Sequence, residues 1–193
     1  NIIDRFKLLG FRNFLISTHY FPEKIKEYFK DGKAKGINIE YTHEEQPLGT
    51  AGALSLIKNK TKKPIIMING DILTDIDFRS LLAFHEKSVA DFTICTKERE
   101  YSVPYGVVLE NNNEYETIIE KPVFTHNIST GIYVIGHKCL KHVKGKIDMP
   151  DFIKKIYGKK LKVSVNKTYN YWLDIGKIED YLRAQKDIKN LNL

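Results

Sequence analysis

Two aspartates each close an apolar run beside a glycine. Ile65 to Ile68 lead into Asn69-Gly70-Asp71, and Tyr171-Trp172-Leu173 lead into Asp174-Ile175-Gly176. Carboxylates delivered at the ends of buried strands suit a Mg²⁺ site, because that ion takes one or two protein oxygens and fills its remaining positions with water and phosphate. Two further strand-end features compete for the same region: Glu120-Lys121-Pro122, whose Lys121 could neutralise a phosphate, and Ser129-Thr130-Gly131-Ile132-Tyr133. Plainer roles exist for all of them. Asp71 can cap a turn, Asp174 can cap the terminal helix, and Glu120-Lys121 can be a solvated pair; spacing alone slightly favours these.

Pro47-Leu48-Gly49-Thr50-Ala51-Gly52-Ala53-Leu54 is the other unusual segment. Small residues at a loop-to-helix junction let a backbone approach a flat ligand, and a helix N-terminus favours anions. Tight packing of a helix on a sheet explains it equally well. It is not a Walker loop, since no Gly-Lys-Ser/Thr follows, and Gly-x-Gly-x-x-Gly occurs nowhere. His137, Cys139 and His142 lie close together, but no fourth ligand is spaced to join them, and Lys138, Lys141 and Lys144 would repel a dication; a surface helix or turn is the better reading.

The elements that must position these groups alternate through the first half. Helical spacing covers Ile2 to Leu9, Pro22 to Phe29, Gly49 to Ile57 and Phe78 to Lys87, the last with Asp77 as its N-cap. Strand patterns cover Phe14 to Ser17, Ile37 to Tyr41, Ile65 to Ile68 and Phe92 to Thr96, the third apolar enough to be buried on both faces. Tyr105 to Glu110 and Tyr115 to Glu120 read as a hairpin about Asn111-Asn112-Asn113. Then come a strand at Gly131 to Gly136, a helix at Met149 to Tyr157, a strand at Leu161 to Val165, and a helix from Ile178 to about Leu191. This predicts one α/β domain over residues 1–193: a Rossmann-like, mostly parallel sheet, helices on both faces, and an antiparallel hairpin added to it.

Composition sets the class. The 193 residues carry a formal net charge of +7 from 31 Lys and Arg against 24 Asp and Glu. The excess is scattered lysine, densest at Lys58 to Lys63, Lys138 to Lys146 and Lys154 to Lys162, without the aromatic and arginine interleaving of a single-strand binding face, so no nucleic-acid partner is expected. An anionic small substrate suits such a field. No apolar run approaches ~18 residues, so no membrane span is expected. Two cysteines, Cys95 and Cys139, argue for a reducing, cytoplasmic setting. The chain opens at Asn1 already inside an amphipathic pattern, which suggests missing upstream sequence.

In chain order, Pro47-Leu48-Gly49-Thr50-Ala51-Gly52, Asn69-Gly70-Asp71, Tyr105-Gly106-Val107, Glu120-Lys121-Pro122, Thr130-Gly131-Ile132-Tyr133 and Trp172-Leu173-Asp174-Ile175-Gly176 resemble the sugar-1-phosphate nucleotidyltransferases, and most of all their mannose-1-phosphate guanylyltransferase-like members. Each motif alone is weak, but six in order over nearly the whole chain are specific. The resemblance implies transfer of a nucleoside monophosphate from an NTP to a sugar 1-phosphate, with a GDP-sugar favoured and pyrophosphate released. It implies that Asp71 and Asp174 hold Mg²⁺ and that Lys121 binds the sugar phosphate. Glu120 and Gly106 would read sugar hydroxyls beside Thr130 and Gly131, while Gln46, Gly49 and Thr50 would contact the base. A homo-oligomer is compatible with it. Two departures stand out. Ser129 replaces the Asn common in relatives. The family's Gly-rich phosphate loop and the first strand before it are absent, so the chain as given is expected to be nearly inactive. A non-catalytic paralogue that binds a nucleotide sugar is the alternative.

Overall fold

The computed structural model describes residues 2–58 and 61–190, the side chain of residue 190 excepted. Helix α1 (Ile2–Leu8) leads into strand β1 (Asn13–Thr18), and α2 (Pro22–Phe29) precedes β2 (Asn38–His43). Pro22 opens α2 where a missing N–H costs nothing. β1 and β2 pair in parallel, from Asn13 opposite Asn38 to Thr18 opposite His43.

β3 (Ile65–Ile68) and the short β4 (Ile72–Thr74) flank Asn69-Gly70-Asp71. Helix α3 (Phe78–Lys87) follows, and the expected cap is present: the Asp77 carboxylate accepts from the backbone N–H groups of Arg79 and Ser80. Then come β5 (Phe92–Ser102), the hairpin strands β6 (Val107–Asn111) and β7 (Glu114–Ile119), and β8 (Val123–Ile135). The hairpin turns through Asn112 and Asn113, both at positive φ (50° and 67°), which a right-twisted two-residue turn demands. The chain finishes with α4 (His137–Leu140), α5 (Met149–Gly158), β9 (Val163–Thr168), β10 (Trp172–Asp174) and α6 (Ile178–Asn190). Leu191, the expected end of that helix, and residues 59 and 60 of the Lys58 to Lys63 run lie outside the described residues.

The architecture is α/β with mixed sheets. The main sheet has the order β3-β8-β5-β9, in which β5 and β9 are parallel and β8 runs antiparallel between β3 and β5. Period-two alternation in β8 decides its two faces. Tyr133 and Ile135 enter a core with Phe92, Phe152 and Ile156, while Ile132 and Val134 enter another with Phe6, Phe78 and Leu81. Helices therefore cover both faces: α4 and α5 on the first, α1 and α3 on the second. Phe6 and Phe78 stack at 3.8 Å with 7° between the rings, joining the two helices. Phe14 of β1 packs against this second core, as do Ile66 and Ile68 of β3.

Five expectations change. The sheets are mixed rather than mostly parallel, because β8 returns antiparallel between β3 and β5, and among the described residues only β1–β2 and β5–β9 pair in parallel. The helix expected at Gly49 to Ile57 is a 3₁₀ turn over Gly52–Leu56. The backbone before it is occupied elsewhere, since Ile147 N–H donates to the Leu48 carbonyl and Ala51 N–H donates to the Ile147 carbonyl. β3 is half-buried rather than sealed on both faces, because it pairs with β8 along one edge only. β5 and β8 reach well past their buried apolar ends, to Ser102 and back to Val123, as a two-stranded ribbon whose mostly exposed residues, Tyr101, Val123 and Phe124 among them, carry no burial pattern. Finally, Asp71 and Asp174 do not end strands of one sheet: β10 pairs antiparallel with β4, apart from β3.

Candidate active site

The β4–β10 pairing is what joins the two aspartates. Asp174 stands opposite Ile72, the residue after Asp71, and Ile175 N–H donates to the Asp71 carbonyl at 2.8 Å. On the other side, Asn69 N–H donates to the Gly131 carbonyl at 3.1 Å. Gly131 has φ +72°, and a Cβ there would lie 2.7 Å from Asn69 Nδ2 and 2.9 Å from Ile72 Cδ1. Only glycine lets β8 come this close to the turn that carries Asp71.

Thr130 supports the same junction from beneath. It is fully buried, its hydroxyl donates to the Cys95 carbonyl at 2.9 Å, and its carbonyl accepts from Trp172 Nε1 at 2.8 Å. One indole N–H thus ties β10 to β8 two residues before Asp174. Ser129 completes the strand end with a 2.9 Å hydroxyl contact to Tyr133.

Both carboxylates face solvent, and neither accepts a hydrogen bond from any described residue. The Asp174 carboxyl is pushed above its ordinary value, first by desolvation and then by the charges of Asp71 and Asp180. Two close carboxylates without donors form a site that gains from a cation. Among the described residues no cluster of three or more His, Cys, Asp or Glu exists that could enclose a metal. The donor set therefore fits an ion that brings its own water and phosphate ligands, as Mg²⁺ does, and not a protein-caged metal.

The other expected site residues form two separate groups. Gly106 and Glu120 meet at the hairpin base, where a Cβ on Gly106 would lie 3.2 Å from Glu120 Oε2 and 3.0 Å from Ile118 Cδ1. Lys121 follows in a left-handed turn (φ 44°) at the outer end of the β5–β8 ribbon, next to the Val123–Ser102 pair. Gly49 (φ +79°) and Thr50 sit against the start of α5: Asp148 Oδ1 accepts from Thr50 N–H at 3.0 Å, and Thr50 Oγ1 accepts from Met149 N–H at 2.7 Å. Gln46 is exposed and makes no polar side-chain contact with a described residue.

Sequence reasoning overlooked two partners. Asp148, which anchors Thr50, was legible as the residue before Met149-Pro150, a helix-start signal. Arg99, whose guanidinium lies 5.9 Å from the centre of the Trp172 ring, carried no signal because it sits in the polar part of β5. Arg99, Trp172 and Asp174 line one cavity of about 390 Å³ together with Lys177, Asp180 and Arg183.

Both thiols are structural. Burial raises Cys95, and burial with the nearby Asp91 charge pushes Cys139 up to about 12, its Sγ donating to the Asp91 carbonyl. No helix of the described residues is long and apolar enough to cross a membrane.

A sequence model of the family described as Nucleotidyl transferase matches residues 1–190. The chain is 31% identical over 185 residues to the mannose-1-phosphate guanylyltransferase catalytic subunit beta of Dictyostelium discoideum, covering 90% of this chain and 51% of that protein. It is 30% identical over 192 residues to the mannose-1-phosphate guanyltransferase of Schizosaccharomyces pombe, covering 93% and 52%. The chain thus spans about half the length of these curated relatives. Among solved structures, a Bacillus anthracis protein assigned as a glucose-1-phosphate thymidylyltransferase superposes with a TM-score of 0.75 at 21% identity, covering 99% of this chain and 82% of that one. HddC from Yersinia pseudotuberculosis gives 0.69 at 22% identity, covering 96% and 83%. At these identities the structural likeness speaks to the fold.

Proposed function

The chain belongs to the nucleotidyl transferase family, and we propose that it transfers a nucleoside monophosphate from an NTP to a sugar 1-phosphate, forming a nucleotide sugar and pyrophosphate. The observation that carries this reading is the Asp71–Asp174 juxtaposition created by the β4–β10 register. In such a transfer a phosphate oxygen of the sugar 1-phosphate attacks the α-phosphorus in line. A new P–O bond forms, the bond to the bridging oxygen breaks, and pyrophosphate departs with the electron pair. No covalent nucleophile is needed; the protein must align the two phosphates and stabilise the charge that develops between them.

Asp71 and Asp174 are the residues that would hold Mg²⁺, which supplies neutralisation of the phosphate oxygens when bound. Around them, this chain's residues fix the carboxylates: Ile175 N–H holds the Asp71 backbone, and Trp172 and Gly131 set the distance between β10, β8 and the aspartate turn. We assign Lys121 to the sugar phosphate, Glu120 and Gly106 to sugar hydroxyls, and Gln46, Gly49 and Thr50 to the base; these assignments rest on their sequence motifs. A guanine nucleotide and mannose 1-phosphate are the first pair to try, by likeness to the Dictyostelium and yeast relatives. Both buried thiols are consistent with a reducing, cytoplasmic compartment, and self-association belongs to the same proposal.

The test is pyrophosphate release from a panel of NTPs and sugar 1-phosphates, with and without Mg²⁺. Turnover should require Mg²⁺ and a sugar 1-phosphate, and Asp71→Asn or Asp174→Asn should lower it by orders of magnitude. Wild-type rates in both variants would remove the metal assignment. Calorimetric binding of a nucleotide sugar without turnover would favour the non-catalytic alternative.

A further inference from the structure

We propose that Arg99, laid over the Trp172 ring, positions the phosphate of the acceptor substrate against the Asp71–Asp174 pair. The inference rests on the phosphoryl-transfer reading and adds to it a cation that no motif identified.

The geometry calls for one. Trp172 Nε1 bonds to the Thr130 carbonyl, which fixes the Asp174 end of the site at Thr130. Lys121, assigned above to the sugar phosphate, sits in the left-handed turn before β8, next to the Val123–Ser102 pair. Its ammonium would reach that phosphate from the hairpin side, the side of Gly106 and Glu120. The Asp174 end has its own cations: Arg99, Lys177 and Arg183 line the same 390 Å³ cavity as Asp174.

These three differ in how far they are already committed. The Arg183 guanidinium pairs with Asp187 at 3.3 Å and turns back along α6. Lys177 is an exposed ammonium on a flexible stem in the Gly176-Lys177 loop. Arg99 has no carboxylate partner among the described residues, although Glu98 and Glu100 flank it in sequence. Glu98 is itself engaged by Lys167 at 2.9 Å on β9. A cation–π contact at 5.9 Å holds the Arg99 guanidinium over the indole while its N–H groups carry no partner among the described residues, which leaves them for a bidentate contact with phosphate oxygens. A phosphate held there would lie between a cationic wall and the carboxylate pair, so that a cation at Asp71 and Asp174 could share its oxygens.

The shared chemistry is a phosphate group, which the acceptor's phosphate and the departing pyrophosphate both carry; we assign Arg99 to the acceptor. The experiment is steady-state kinetics of Arg99→Ala and Arg99→Lys beside Lys121→Ala. For Arg99→Ala the KM for sugar 1-phosphate should rise about 10- to 100-fold, the loss expected for one charge-assisted contact, with the KM for NTP unchanged within about two-fold. Arg99→Lys should recover part of it, because charge is kept while the planar fork is lost. An unchanged acceptor KM in Arg99→Ala would overturn the proposal. So would an equal rise in both KM values, or a change confined to inhibition by added pyrophosphate. If wild type turns over no pair in the panel, the transfer reading fails first. Titration of inorganic phosphate against wild type and Arg99→Ala in Mg²⁺, followed by NMR, then decides the subsite: weaker binding by about tenfold in the variant supports it, and equal binding overturns it.

Discussion

Replacing Gly131 by alanine tests the packing that holds the aspartate turn. The native backbone there is left-handed, at φ +72°, and the added methyl would sit 2.7 Å from Asn69 Nδ2 and 2.9 Å from Ile72 Cδ1. A non-glycine residue in that region costs about 1–2 kcal/mol. Crowding the buried Ile72, which is 3% exposed, adds about 1–3 kcal/mol, because the neighbouring core cannot simply make way. Alanine also narrows the unfolded ensemble, offsetting about 0.5–1 kcal/mol. The net destabilisation is therefore about 1–4.5 kcal/mol.

Gly70 is the internal control. It lies in the same turn, one residue before Asp71, yet a Cβ there meets nothing within 4 Å and its φ is not left-handed. Gly70→Ala should be neutral or stabilising by up to about 1 kcal/mol. Urea unfolding of wild type and both variants gives the comparison, with m held constant as the sign of a common unfolding reaction. Because the Gly131 carbonyl accepts the Asn69 N–H, relief of the clash must also shift the turn that carries Asp71, and pyrophosphate release should fall at least about tenfold, a displacement effect of modest size for a positioning contact. Equal midpoints for the two alanine variants would refute the close-approach argument, whatever the activity data say.

Three further outcomes follow from the same geometry. Thr50→Val removes the hydroxyl that accepts from Met149 N–H, so stability should drop by about 1–2 kcal/mol in urea unfolding, as for other lost helix-start bonds. The His85 imidazole is buried, bonded to the Thr93 hydroxyl and held below the ordinary 6.5 by desolvation, so the unfolded chain takes up its proton first; its contribution to stability should be present above pH 6.5 and shrink as pH falls through that value, and His85→Gln should flatten that part of a stability–pH profile relative to wild type. Asp174 has the opposite sign for a carboxylate: its raised folded value means that protonation stabilises metal-free protein as pH falls toward 3.8, so Asp174→Asn without Mg²⁺ should be at least as heat-stable as wild type at pH 7 while losing any Mg²⁺-dependent rise in Tm.

Much of this was legible in the sequence where a side chain acts locally. Asp77 caps α3 because a carboxylate before a helix can reach two free N–H groups, and Asn112-Asn113 turn the hairpin because Asn tolerates positive φ. The order of motifs singled out both aspartates and several glycines, of which the fold brings Gly131 to the turn that carries Asp71. What could not be read were contacts set by partners far along the chain. The Gly49–Ile57 segment looks helical until Ile147 claims its backbone from nearly a hundred residues away. The outer halves of β5 and β8 have no apolar period because neither face is buried, so only their mutual pairing defines them. Arg99 was hidden for the same reason.

The placement of the carboxylate pair at the seam between two pairings, rather than at the edge of one sheet, has a mechanistic consequence. β3 brings Asn69 and the turn before Asp71; β10 brings Asp174; and they meet only because β4 follows the turn at once and accepts β10 in antiparallel register. A slip of one residue in that three-residue pairing would turn Asp174 to the opposite face. Little backbone pairing resists such a slip. What resists it are the anchors at either end: the Trp172 indole on the Thr130 carbonyl, Ile175 N–H on the Asp71 carbonyl, and the Thr74 hydroxyl on the Tyr171 carbonyl at 2.7 Å. Trp172 is thus asked to do two things at once, locking the register with its N–H and carrying Arg99 on its face. Trp172→Phe separates them, because phenylalanine keeps a ring beneath Arg99 but cannot donate. If the register lock matters most, this variant should lose kcat with its acceptor KM little changed, the reverse of the pattern expected for Arg99→Ala. A matching rise in acceptor KM for both would mean that the indole serves only as the floor of the phosphate subsite.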